Sequence, residues 1–138
     1  MAASVLVDTG FVVALLNRRD RRHRWAVDQA GRHAPPWHTC DAALSEAFHL
    51  VGSAGERPLA ELLRRGTLVP GFQLAAHLDA VLGLLRKYAD VPMSLADACL
   101  VRMTEVLADP ILLTTDANFR VYRRHSRQVV PTVMPHPG

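Results

Sequence analysis

The sequence predicts a single α/β domain, a three-layer α/β/α sandwich around a central parallel sheet of about four to five strands. Three observations predict it. Short apolar or β-branched runs alternate with longer segments of helical periodicity, the signature of strand–helix–strand units. The chain has 138 residues, of which 49% are hydrophobic and 21% charged, the length and composition of one ordinary globular domain. Its longest uninterrupted apolar run, Phe11 to Leu16, is far short of the roughly 20 residues a membrane helix needs.

The elements follow in order. Ser4-Val5-Leu6-Val7 reads as the first strand, Asp8-Thr9-Gly10 punctuates it, and the apolar stretch beyond has the length of a modest helix. Residues 21–33 carry helical spacing. Trp37 to Cys40 reads as a short strand, with Asp41 as the N-cap of a helix that runs to about Gly52. Residues 58–65 form another helix, where Pro58 is tolerated in the first turn. Leu74, Leu78, Val81, Leu82, Leu85 and Tyr88 recur at helical spacing and mark a strongly amphipathic helix, whose apolar face suits the core or a second copy of the chain. After Pro92, residues 94–108 form a helix with Leu100, Met103 and Leu107 inward. Ile111 to Thr114 is a buried-type strand, residues 116–122 a short helix, and Val129-Val130 the last strand. No repeat or low-complexity tract intervenes, so residues 1–134 read as one domain and residues 135–138 as a short Pro-rich tail.

Several function classes are disfavoured at once. The N-terminus lacks the basic start and long apolar stretch of a secretory signal, which predicts a cytoplasmic protein with no membrane role. Cys40 and Cys99 stand far apart and form no Cys-x-x-Cys pair, so they read as buried, reduced thiols. Net charge is +3, but its distribution is uneven: residues 18–24 and residues 120–127 are strongly basic, and the middle of the chain is acidic. Fifteen of the sixteen basic residues are Arg, whose planar fork suits phosphate. Such clusters are commonly just solvated faces. Arg18, Arg19, Arg21, Arg22, Arg120, Arg123 and Arg124 are the candidates for nucleic-acid contact.

Ligands of open parallel sheets bind at the carboxyl ends of the strands. Asp8 and Asp116 both follow predicted strands, Asp97 lies in the first turn of its helix, and Glu46 lies one turn into the helix after the second strand. Four carboxylates would therefore meet at one edge of the sheet. Each Asp also has a plainer reading as a helix cap, and Ser94-Leu95-Ala96-Asp97 resembles a capping box. Glu46 is too deep in its helix to cap, and its plainer reading is a surface acid paired with His49. Converging acids repel unless a cation joins them, and an all-oxygen set favours Mg²⁺ or Mn²⁺ over zinc. Metal-dependent phosphodiester hydrolysis, with the Arg clusters gripping the backbone, is the chemistry that combination suits.

Four segments in this order, Val5-Leu6-Val7-Asp8-Thr9, Leu44-Ser45-Glu46-Ala47, Ser94-Leu95-Ala96-Asp97-Ala98 and Leu113-Thr114-Thr115-Asp116-Ala117-Asn118-Phe119, give the chain a resemblance over nearly its whole length. It resembles a PIN-domain protein, most closely the VapC-like ribonuclease toxins of bacterial toxin–antitoxin pairs. The resemblance implies an endoribonuclease site that binds Mg²⁺ or Mn²⁺, with Asp8, Glu46, Asp97 and Asp116 as catalytic and metal-site acids and Thr114 as a supporting hydroxyl. It also implies a homodimer, a small antitoxin partner, and structured RNA such as transfer or ribosomal RNA as target. Where many relatives have Asp this chain has Asn118, which offers an oxygen without a charge and leaves open how many metals bind.

Three alternatives accompany that reading. A receiver-like regulatory domain would place Lys after a late strand and a second acid beside Asp8, whereas the only Lys, Lys87, lies in the amphipathic helix. A PIN-fold scaffold could bind RNA or a protein and cut nothing. A histidine-based nuclease or zinc enzyme would need clustered histidines, and the seven here are scattered.

Overall fold

The computed structural model describes residues 2–137; Met1 of the predicted domain and Gly138 of the predicted tail lie outside the described residues. Five strands, β1 (Ser4–Val7), β2 (Trp37–His38), β3 (Leu68–Val69), β4 (Pro110–Leu113) and β7 (Thr132–Val133), form one sheet in the order β3-β2-β1-β4-β7. Every neighbouring pair is parallel. The helices α1 (Thr9–Leu16), α2 (His23–Arg32), α3 (Asp41–Arg64), α4 (Leu78–Lys87) and α5 (Leu95–Val106) flank it. The predicted α/β/α sandwich is the observed one.

Strand alternation divides the core into two. Leu6 and Leu112, paired across β1 and β4, face a cluster with Val81 of α4 and Cys99, Leu100 and Met103 of α5. Val5, Val7 and Leu113 face the opposite cluster, which holds Phe11 and Val12 of α1, Ala26 of α2, and Leu44 and Leu59 of α3. Phe11, Leu59 and Leu100 are fully or almost fully buried, each such side chain contributing about 1.5–3 kcal/mol of transfer free energy. Cys40 and Cys99 are buried and free, as expected.

Several sequence expectations shift. The N-cap of α3 is Cys40, so Asp41 is the first helical residue and lends its charge to the first turn. At Gly52, with φ +64°, the helical backbone of α3 is broken, so this span is two helices meeting at a kink, in keeping with the two expected on either side of this point. A further strand, β3, follows Gly66, whose positive φ ends α3 with the Gly66 and Thr67 amides donating to Leu63 and Leu62. The amphipathic stretch at residues 74–88 begins as a 3₁₀ turn, Leu74–His77, before α4 proper. Residues 116–122 give only another 3₁₀ turn, Ala117–Arg120.

The expected last strand, Val129-Val130, is corrected. Val129 belongs to a separate antiparallel hairpin in which β6 (Gln128–Val129) pairs with β5 (Arg123–Arg124), and its side chain is 64% exposed. The main sheet ends instead with β7, because Leu112 and Thr114 donate their amides to Pro131 and Val133. Proline at the entry to an edge strand needs no partner for its missing N–H. Among the described residues no helix is long and apolar enough to cross a membrane.

Candidate active site

From β1 the chain winds outward through β2 to β3, then crosses to the other side of β1 and continues through β4 to β7. The reversal falls between β1 and β4, and the crevice beyond the carboxyl ends of strands at such a point is where open α/β sheets bind ligands. Asp8 follows β1 directly, and Asp116 stands three residues beyond β4.

Asp8 is the N-cap of α1, its Oδ1 accepting from the Phe11 amide at 3.0 Å. Its Oδ2 accepts from the Thr114 hydroxyl. That hydroxyl in turn accepts from the Asp116 amide at 3.0 Å, which leaves its own proton for Asp8. Asp116 caps the 3₁₀ turn, Oδ1 accepting from the Asn118 amide at 2.9 Å. At the start of α5, Ser94 and Asp97 form a complete capping box. Asp97 Oδ2 also accepts from the Tyr122 hydroxyl at 2.9 Å. Capping and convergence therefore coexist: the bonds that cap the helices also hold the three Asp side chains in place.

Asp8, Glu46, Asp97 and Asp116 all line one cavity of about 220 Å³, together with Thr9, Gly10 and Thr115. Glu46 is exposed, in range of the Thr9 hydroxyl at 3.3 Å, although that hydroxyl lies closer, 2.9 Å, to the Ala43 carbonyl. Leu50, one turn beyond Glu46, is exposed too, so this face of α3 is wetter than its sequence suggests. Neither Thr114 nor Asn118 lines the cavity; Thr114 reaches it through Asp8, and the Asn118 amide anchors Asp116.

Burial pushes the Asp8 carboxyl up from 3.8 to about 7, the charges of Asp116 and Asp97 adding to the rise while the Thr114 hydroxyl and the Phe11 amide oppose it. Burial also raises Asp97, against the Tyr122 and Ser94 bonds that favour its charged form. The phenol of Tyr122, buried beside that carboxylate, is held above its ordinary range and stays a donor.

The candidate arginines part company. Arg18 and Arg19 are exposed in the turn after α1. Arg21, Arg22 and Arg120 line a second cavity beside the acidic one. Arg123 Nη1 donates to the carbonyls of Arg120, Val121 and Tyr122, and Arg124 donates to the Thr104 carbonyl and to Gln128.

A family model for the PIN domain matches residues 5–124 of the chain. The chain belongs to the PIN domain family. No curated protein matches it. The PIN domain is generally a nuclease fold, and PIN nucleases typically use divalent metals.

Two contributors to this PIN-domain site escape sequence reasoning. Tyr122 lies 25 residues from Asp97, and nothing in its local pattern announces the contact. Gly10 stands where a Cβ would collide with the Thr115 side chain, so the first turn of α1 closes against the cavity wall only because that residue is glycine. Its position two residues after a strand-ending Asp is the one sequence cue for it.

Proposed function

We propose that this PIN-domain chain is a metal-dependent endoribonuclease that hydrolyses RNA phosphodiester bonds, and that it serves as the toxin of a toxin–antitoxin pair. The observation that carries the reading is the convergence of Asp8, Glu46, Asp97 and Asp116 on one cavity at the switch point of the sheet. Their donor chemistry fits Mg²⁺ or Mn²⁺, since every side-chain donor is an oxygen and no cysteine or histidine lines the cavity. Among the described residues no three His, Cys, Asp or Glu side chains stand close enough to cage an ion alone. Mg²⁺ keeps several waters and is usually bound through only one or two carboxylates directly. Asp8, Glu46, Asp97 and Asp116 would hold the ion directly or through its waters, and when bound it would activate water and stabilise the leaving oxygen.

The remaining chemistry belongs to the chain. Thr114 holds Asp8 with its proton directed at the carboxylate, and the Phe11 amide fixes the other oxygen. Tyr122 and the Ser94 amide both engage Asp97 Oδ2, leaving Oδ1 without an internal partner among the described residues. Glu46 lies exposed at the rim. The wider expectations stay with this proposal: a transfer or ribosomal RNA target, a cognate antitoxin, a cytoplasmic setting and a homodimer. Leu78 and Leu82 of α4, 47% and 49% exposed at i and i+4, supply an apolar face for the homodimer.

The family match is to a domain and not to an activity, which leaves one second reading, a PIN scaffold that binds RNA or protein without cutting. Incubating the purified protein with total RNA and Mg²⁺ or Mn²⁺ separates the two. Discrete fragments from the wild type, absent with EDTA and with Asp97→Asn, are expected for the nuclease. Intact RNA from folded wild type in both metals would leave the scaffold.

A further inference from the structure

The acidic cavity has a basic neighbour. A second cavity of about 590 Å³ adjoins it, within the range of about 300–1,000 Å³ typical of small-ligand clefts. Thr115 walls both cavities, and the consecutive residues Asp116 and Ala117 line one each. Arg21, Arg22 and Arg120 line the second cavity together with Trp25 and with His136 from the C-terminal tail, and no Asp or Glu does.

Among the described residues, no side-chain hydrogen bond or ion pair engages the guanidinium groups of these three arginines. Among the described residues, the ion pairs of arginine are those of Arg32, Arg64, Arg65 and Arg102. Arg123 and Arg124, by contrast, turn their donors onto the chain's own carbonyls and onto Gln128. Three cations grouped around a cleft that no Asp or Glu lines form an anion site whose donors match phosphate oxygens. Trp25 adds a different element. Its ring is set edge-on to Phe11, with centroids 6.0 Å apart, and it is half-buried at the cavity wall. Phe11 also gives its amide to Asp8, so a single residue supports both sites.

We infer that the basic cavity is a subsite for single-stranded RNA, in which Arg21, Arg22 and Arg120 hold phosphates next to the one at the acids and Trp25 offers a stacking face to a base. The inference rests on the nuclease reading for its direction: a strand laid across Thr115 passes from the arginines to the carboxylates. The tail closes one side, where Pro135 and Pro137 restrict the backbone around His136. An acidic peptide would also satisfy the arginines, but it has no flat bases for Trp25. Stacking on aromatic side chains is the usual companion of a basic groove in single-strand recognition.

The test is binding, read apart from cleavage. A labelled single-stranded oligoribonucleotide is titrated onto the full chain in EDTA, and anisotropy is followed across a salt series. With Arg21→Gln, Arg22→Gln and Arg120→Gln combined, affinity is expected to fall at least about tenfold and the slope of log K against log salt to shrink by about 2, as three lost single-strand contacts require. Arg18→Gln with Arg19→Gln should change the slope much less. Truncation after Met134 should weaken binding without reducing the slope as far as the triple variant does. Tryptophan fluorescence gives a second readout, because Trp37 is only 5% exposed and Trp25 faces the cleft. Bound RNA should quench Trp25 in the wild type and not in the triple variant.

An unchanged slope in the folded triple variant would overturn the inference even if the wild type cleaves RNA. So would a wild type that binds a labelled poly-glutamate peptide and not the oligoribonucleotide. Arginine-dependent binding and quenching in a protein that cuts nothing would keep this subsite and remove the nuclease reading.

Discussion

The two adjoining cavities are built on opposite principles. In the acidic one, every Asp makes a bond that caps a helix or turn, Asp8 with Phe11, Asp97 with Ser94 and Asp116 with Asn118, and Thr114 and Tyr122 hold the first two from across the fold. In the basic one, the three arginines have no such engagement, and their position follows from where the loop after α1 and the turn after β4 meet. Fixed acids with buried stems suit chemistry that needs tight positioning, and free guanidiniums on loops suit a ligand of variable shape. The contrast divides the expected phenotypes, with loss of reaction at the acids and loss of binding at the arginines.

The largest effect should come from the acids. Asp97→Asn keeps the shape and the capping role of Asp97 but removes one negative charge from the cavity. Cleavage should fall at least about a hundredfold, while oligoribonucleotide binding in EDTA holds or improves as repulsion falls. Equal losses in binding and cleavage would erase the division between the cavities.

Burial sets the next effect. The raised pKa of Asp8 means that between 3.8 and about 7 the folded state holds a proton that the unfolded state lacks. Stability of the metal-free protein is therefore greatest below that window and falls as pH rises through it. Asp8→Asn should flatten the dependence, leaving the variant the more stable protein above neutrality by up to about 4 kcal/mol, the full value of such a shift. Thermal unfolding in EDTA across that range checks it, and wild-type stability that rises with pH would contradict it. Mg²⁺ should restore the wild type and do little for the variant.

A smaller effect isolates Tyr122. Removing its hydroxyl with Tyr122→Phe takes one donor from Asp97, for about 1–2 kcal/mol of stability. A merely structural role would stop there. As a positioning residue, Tyr122 should also affect Asp97 itself: with that bond gone the carboxyl titrates higher, so the pH at which Mg²⁺ begins to stabilise the protein should move up. A Tyr122→Phe variant that loses stability with the metal's pH profile unmoved would reduce the residue to packing.

How far each cavity is legible in the sequence follows from the same contrast. Asp8 and Asp116 stand out because a strand precedes each, and Asp97 because Ser94 sits three residues before it; these signals are local. Glu46 has a weaker signal, its place one turn into the helix after the second strand, too deep to be a cap. The sheet is legible in the four-residue strands β1 and β4 and in two-residue β2, and not in the two-residue strands β3 and β7. β3 is bracketed by Gly66 and Pro70, a cue too short to weigh against the loop around it. At the C-terminus, residues 128–129 and 132–133 are equally strand-like, and only pairing with β4 selects the second. Tyr122 and the grouping of the arginines are tertiary facts. Charge counting finds seven candidates and cannot see that two of them are turned inward.

The two kinds of arginine supply the finest separation. Arg123 and Arg120 are near neighbours in sequence, yet one serves the chain's carbonyls and the other faces the cleft. Arg123→Ala should cost about 1 kcal/mol of stability, since its bonds are partly solvent-exposed, and should leave the salt slope of RNA binding unchanged. Arg120→Ala should do the reverse, leaving the melting temperature in place and lowering the slope by about 0.7, the share of one single-strand phosphate. Both are measured on the same samples by unfolding and by anisotropy. If the two variants shift the slope alike, the cleft has no privileged arginines, and the basic charge of this face acts as a diffuse field in which burial and hydrogen bonding make no difference.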